Sequence, residues 1–173
     1  SIFFIEMMKL GKKSALMIKI NASLKALLGG FLIIILVLCT STDYLGLGIQ
    51  TINSTLNGSS IIWYAFIIKV VMTSITLNFG GSGGIVTPLF FIGATAGSFF
   101  AVILGLDPAL FAALGLVSML AGAANTPIAA SILAIELFGP IIAPYATLVC
   151  VVSFLMTGYR SAYPSQVLAI NKS

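Results

Sequence analysis

Histidine is missing from this 173-residue chain, and only 7% of its residues are charged. A soluble domain carries about 25% charge, so there is too little here to coat a water-facing surface. Without histidine, most zinc-ligand sets, Ser–His hydrolysis and the usual proton shuttle near neutral pH drop out together. No serine–lysine or aspartate pair replaces them, so no catalytic constellation is visible and the chain reads as a non-enzyme. The two cysteines, Cys39 and Cys150, sit inside apolar runs and read as buried free thiols, with no cofactor or metal implied. An initiator methionine and a signal peptide are also missing. The chain opens on an apolar stretch, Ser1–Leu10, that resembles the tail end of a helix, so a piece of a longer protein is expected.

What is present is apolar sequence: 60% hydrophobic residues and a mean hydropathy of +1.18. No charge falls between Val70 and Leu106, between Pro108 and Ile135, or between Leu137 and Tyr159. Runs of this length exceed the roughly 20 apolar residues that one membrane helix needs. Each must hold more than one element, or a helix with a re-entrant continuation. The expected partner is the lipid bilayer, and the expected location a cell membrane crossed several times. The net charge of +4 is no nucleic-acid signal, because all the basic residues but Lys69 gather at the two ends of the chain. Lys9, Lys12, Lys13, Lys19 and Lys25, with Arg160 and Lys172, follow the positive-inside bias and place both ends on the cytoplasmic side.

Glycine and proline divide the apolar sequence. Residues 1–25 read as the end of a helix plus a basic linker, 26–170 as the membrane domain, and 171–173 as a tail. Within the domain, helices are expected over Ala26–Cys39, Ile61–Phe79, Val86–Leu104, Pro108–Ala124, Ile128–Phe138 and Ile141–Thr157. A short interfacial helix is expected within Thr40–Asn57, and a final one over Ser161–Ile170. Pro88 falls in a first turn, where proline is tolerated. Gly93 and Gly97 make a small-xxx-small pair that lets helices approach closely. Several of these helices are too short to span, and Asn125-Thr126-Pro127 and Gly139-Pro140 interrupt the sequence at membrane depth. Broken helices survive in hydrocarbon only where protein or a water cavity satisfies the freed backbone groups, and in transporters they mark binding sites. The fold class is all-α: a multi-pass membrane bundle with broken, re-entrant helices.

One constellation carries chemistry. In Gly80–Pro88, GGSGGIVTP, glycines open the backbone and a helix starts at once. Its first amides have no intrahelical partner and carry about half a positive charge. The amides of Ile85, Val86 and Thr87, backed by Gly83, Gly84 and Pro88, can cradle an anion without a lysine or arginine that would hold it too tightly for throughput. The same glycines would equally suit a plain turn between packed helices. Tyr163 offers a hydroxyl donor, although in isolation it reads as a belt tyrosine. Lys69 and Glu136 lie inside apolar helices. Lys69 could be a functional intramembrane charge and Glu136 a proton relay, but Lys69 is expected to snorkel or form an ion pair, Glu136 to cap or pair at a helix end, and Arg160 to anchor at the membrane edge.

Three motifs in order resemble the C-terminal half of the CLC family of chloride channels and chloride–proton antiporters. GGSGGIVTPLFFIGATAGSFF is similar to the family's GxFxP segment and the helix behind it. AGAANTPIAASILAIELFG is similar to its next signature, and YRSAYPSQVLA to its last membrane helix. The likeness runs from about Leu24 to Ile170. It implies half of an inverted-repeat fold and transport of chloride or another small anion, bound by the amides of Ile85 and Val86 and the hydroxyl of Tyr163. It also implies a homodimer, with Ile128–Phe138 and Ile141–Thr157 at the interface. Where the family pattern has phenylalanine, this chain has Val86. The GSGIP loop and the GREGP gating glutamate of the family's first half are absent from the sequence. The partner that would supply them is the missing N-terminal half; the alternative is a truncated or assembly fragment that conducts nothing by itself.

Overall fold

The computed structural model describes residues 1–18, 20–59 and 62–163, and every regular element among them is helical. The helices are α1 (Ile2–Met17), α2 (Ala22–Cys39), α3 (Ile49–Leu56), α4 (Ala65–Asn78), α5 (Val86–Leu104), α6 (Pro108–Ala124), α7 (Pro127–Phe138) and α8 (Ala143–Thr157), with 3-10 turns at Thr42–Tyr44 and Pro140–Ile142.

The pair α5 and α6 is the centre of the bundle, with α8 and α7 behind α6 and α4 beside α5. Small residues bring that pair together. A methyl group added to Gly93 or Gly97 would collide with the backbone of α6 at Gly115 and Phe111, and one added to Gly115 would strike Gly93. The helix axes therefore approach as closely as backbone allows, which is how membrane helices gain van der Waals contact without a hydrophobic driving force. Around this seam sit Phe91, Ala94, Ala112, Leu116, Val117 and Ala121.

Local chemistry sets the element ends. Asp107 caps α6 by accepting from the Ala109 amide at 3.0 Å, with Pro108 in the first turn; a cap of this kind is worth about 1 kcal/mol. Asn125 ends the same helix in the left-handed region, φ 56°. The bounds of α5 and α6 coincide with those expected from the sequence. Helix α4 starts four residues later than expected, because Trp63 and Tyr64 form a turn. Helix α1 carries Lys9, Lys12 and Lys13 on to Met17, so that only 18–21 separate it from α2. Of the expected last helix, Ser161–Tyr163 is non-helical, and the remainder lies outside the described residues.

Among the described residues, three segments are long and apolar enough to cross a membrane: Ala22–Cys39, Val86–Leu104 and Pro140–Thr157. Half of the α5 window is buried inside the bundle, against 6% for α2. Helix α2 rests on the rest of the chain at Gly29, where an added methyl would lie 2.6 Å from the Phe79 Cβ.

Candidate anion site

The glycine loop is built from the end of α4. Gly80, at φ 96°, turns the chain, and the Gly81 amide reaches back to the Thr76 carbonyl at 2.8 Å, closing the last turn of α4. Each of these glycines has a local reason. Gly80 holds a left-handed conformation that side chains disfavour, and a methyl on Gly81 would sit 2.7 Å from the Thr76 oxygen. Gly83 and Gly84 have no such reason. An added methyl at Gly84 meets nothing within 4 Å, and at Gly83 only Leu77 at 4.0 Å. Bare backbone is thus presented where packing among the described residues does not require it.

Helix α5 begins immediately after. Its N-cap, Ile85, supplies no side-chain hydrogen bond, and Pro88 has no amide to give. The amides of Ile85, Val86 and Thr87 therefore stand at the positive end of a 19-residue helix without a side-chain cap. Val86 is exposed, while Pro88 and Leu89 are buried and fix the helix start.

Tyr163 is half-buried, and its amide donates to the Ser161 Oγ at 3.0 Å. The segment before it is pinned to the far end of α6. The Ala162 amide donates to the Ala123 carbonyl at 2.8 Å, and the Asn125 Nδ2 donates to the Arg160 carbonyl at 3.1 Å. Ala162 packs in one apolar cluster with Phe4, Leu89 and Ile92, and Ile85 lies against that cluster. The start of α5 and the tyrosine segment thus share one packing unit, although some 75 residues of chain divide them (a loop of that length is closed by tertiary packing alone).

The remaining singled-out residues differ from expectation or stand apart. Lys69 neither snorkels nor pairs with an acid. It is 2% exposed, and its ammonium donates to the carbonyls of Tyr44 at 3.0 Å and Gly46 at 2.6 Å, with the Phe91 ring centroid 4.9 Å away. The physical reason lies in the turn at Thr42–Tyr44. Tyr44 is buried edge-on against Phe91 and Tyr64, which brings free carbonyls to the lysine. A hint was available in the sequence: Ala65, Phe66, Met72 and Thr73, one helical turn away on either side, include no acid. Glu136 is exposed on α7. Arg160 pairs with Glu6 at 3.3 Å, and Glu6 also meets Lys9 at 3.1 Å. Cys39 is exposed, unlike expectation, and Cys150 is buried. No cluster of three or more metal-ligating side chains occurs among the described residues.

A family model described as voltage gated chloride channel matches residues 1–158. The chain belongs to this chloride-channel family. It is 39% identical over 156 residues to a chloride/fluoride channel protein of Pseudomonas syringae pv. tomato, covering 86% of this chain and 34% of that relative. An uncharacterised protein of Methanocaldococcus jannaschii is 29% identical over 149 residues, 84% of this chain and 38% of the relative. The crystal structure of a CLC-type fluoride/proton antiporter superposes at a TM-score of 0.88 with 31% identity, over 93% of this chain and 41% of that one. The chain therefore spans well under half the length of these chloride-channel relatives. With this membership and its three apolar spans, it is an integral membrane protein. Tyr163 lies beyond the matched residues, so its assignment rests on the YRSAYPSQVLA motif.

Proposed function

We propose that this chain is the C-terminal, anion-binding half of a subunit that moves a small anion across the membrane. The amides of Ile85, Val86 and Thr87 receive the ion, and the Tyr163 hydroxyl donates to it. Gly83, Gly84 and Pro88 support the site. The observation that carries this reading is the bare backbone at Gly83 and Gly84, which packing among the described residues leaves unexplained, directly before a helix start with no side-chain cap. Amide partial charges bind an anion weakly enough to release it.

Chloride is the substrate expected from the sequence. Fluoride joins it because the Pseudomonas relative is a chloride/fluoride channel protein and the solved neighbour a fluoride/proton antiporter. The missing N-terminal half supplies the remaining ligands and the gate, and two such subunits pair as a homodimer. The membrane unit, 26–170 by sequence, takes in the whole of α2 from Ala22, with 1–21 before it and the tail 171–173 after it. The lysine-bearing stretch and the Arg160 segment face the cytoplasm together. Lys12 and Lys25 line one cavity with Ala162, and Glu6 bridges Lys9 to Arg160, which supports a common side.

The test is efflux of chloride and of fluoride from proteoliposomes holding this chain, alone and with the N-terminal half co-reconstituted. Efflux that requires both halves and falls on Gly84→Val supports the reading. Efflux unchanged by Gly84→Val would make the loop merely structural. A second reading, an assembly module that conducts nothing alone, is favoured by the 34% coverage of the Pseudomonas relative and the nearly uncovered α2. Silence from the chain alone, with efflux from the pair that Gly84→Val leaves unchanged, would favour it over the first reading.

A further inference from the structure

Beside the glycine loop lies an open cavity of about 280 Å³, lined by α2, the Tyr44–Leu47 turn, α4 and the loop itself. Lys69, Thr73, Thr76, Ser82, Gly83 and Gly84 are among its walls. A water occupies about 30 Å³, so the space admits a halide with part of its hydration shell. The one charge on the wall is the Lys69 ammonium, itself 2% exposed.

That charge has no acid to neutralise it among the described residues. The chain has four acidic residues. Glu6 is engaged by Lys9 and Arg160, Asp43 accepts from Ser41, Asp107 caps α6, and Glu136 is exposed on α7. Lys69 instead spends two of its three donors on neutral carbonyls and lies over an aromatic face. Both arrangements favour the charged form without cancelling it. A buried charge with only dipolar partners is costly and attracts a counter-ion. The threonines are not competing donors, since Thr73 and Thr76 donate to the carbonyls of Lys69 and Met72 in their own helix.

We infer that this cavity is a second small-anion site, with the Lys69 ammonium as its charge and Ser82, Gly83 and Gly84 also lining it. It lies beside the loop whose far end presents the Ile85–Thr87 amides. A monovalent anion of the transported class would occupy it and, by charge repulsion, weaken the hold of the amide site on a second anion. The inference rests on the proposed transport reading only for the identity of the anion.

The probe is bromide, located by anomalous diffraction from crystals of the protein grown in bromide, together with its Lys69→Met and Lys69→Arg variants. The unaltered protein is expected to show one peak at the Ile85–Thr87 amides and another within hydrogen-bond reach of the Lys69 Nζ. Lys69→Met should lose the second peak and keep the first, and Lys69→Arg should keep both. An amide peak without a Lys69 peak in the unaltered protein overturns this inference and leaves the transport reading standing. A Lys69 peak without an amide peak overturns the transport reading alone. Absence of both overturns both. If Lys69→Met does not fold, the unaltered protein's map and the arginine variant still decide. A peak that persists in Lys69→Met excludes the ammonium as its ligand.

Discussion

Glu6 on α1 and Arg160, three residues beyond the last residue of α8, meet at 3.3 Å. The contact ties the first helix to the segment that delivers Tyr163, but both side chains are close to half exposed. Exposed pairs of this kind contribute up to about 1 kcal/mol and fade with salt. Glu6→Gln is therefore expected to lower stability by less than that in low salt and by nothing measurable in high salt. Thermal unfolding in detergent at two ionic strengths checks it; a large, salt-independent loss would show that Glu6 is doing more than pairing.

The loop glycines are expected to separate by mechanism. Gly80→Ala strains a backbone at φ 96° and should cost about 1 kcal/mol or more of stability. Gly84→Ala enters open space and should leave stability within about 0.5 kcal/mol, while weakening anion binding. Parallel melting curves and halide titrations of the two variants distinguish them. Equal stability losses would remove the argument that Gly84 is bare for a ligand.

Tyr163→Phe deletes one neutral hydrogen bond to the proposed anion. A bond of that type is worth about 1 kcal/mol, or roughly fivefold in affinity. Halide titration should show that weakening with the melting point preserved, since the anchoring contacts here come from Ala162, Arg160 and their α6 partners. An unchanged affinity would exclude the hydroxyl as a ligand.

Gly115→Leu should abolish the native bundle. Its added atoms would strike Gly93 backbone, and neither helix has side-chain slack at that point to yield. Circular dichroism and size-exclusion of the purified variant report the outcome; a folded, monodisperse product would mean that α5 and α6 can separate without loss.

Where a helix boundary depended on local chemistry, it could be read from sequence alone. Asp107-Pro108 announces the start of α6 through a cap and a fixed φ, and Asn125 its end. The glycines before Val86 do the same for α5. Most of what escaped depended on residues far apart in the chain. Lys69 looked like a candidate for snorkelling, because nothing within one turn of it reveals that Tyr44 and Gly46 carry their carbonyls to it. Lys12 and Lys13 looked like linker, yet lysine is a good helix former and α1 runs through both. Gly115 drew no attention as the counterpart of Gly93 and Gly97, since only the pairing of α5 with α6 puts it opposite them. Of the candidate site, the amide row was legible because a helix start is a local event. The docking of the tyrosine segment on Ala123 and Asn125 was not.

The uncovered α2 and the short α7 imply an order of insertion during synthesis. Helix α2 is 18 residues of high hydropathy that ask almost nothing of their neighbours, so it can leave the translocon and partition into lipid by itself. Helix α7, at 12 residues, is about 18 Å long against a hydrocarbon core of about 30 Å. Its ends would strand backbone groups in hydrocarbon if it were released alone. It is stable at membrane depth only once α6 and α8, which pack against it in the fold, flank it.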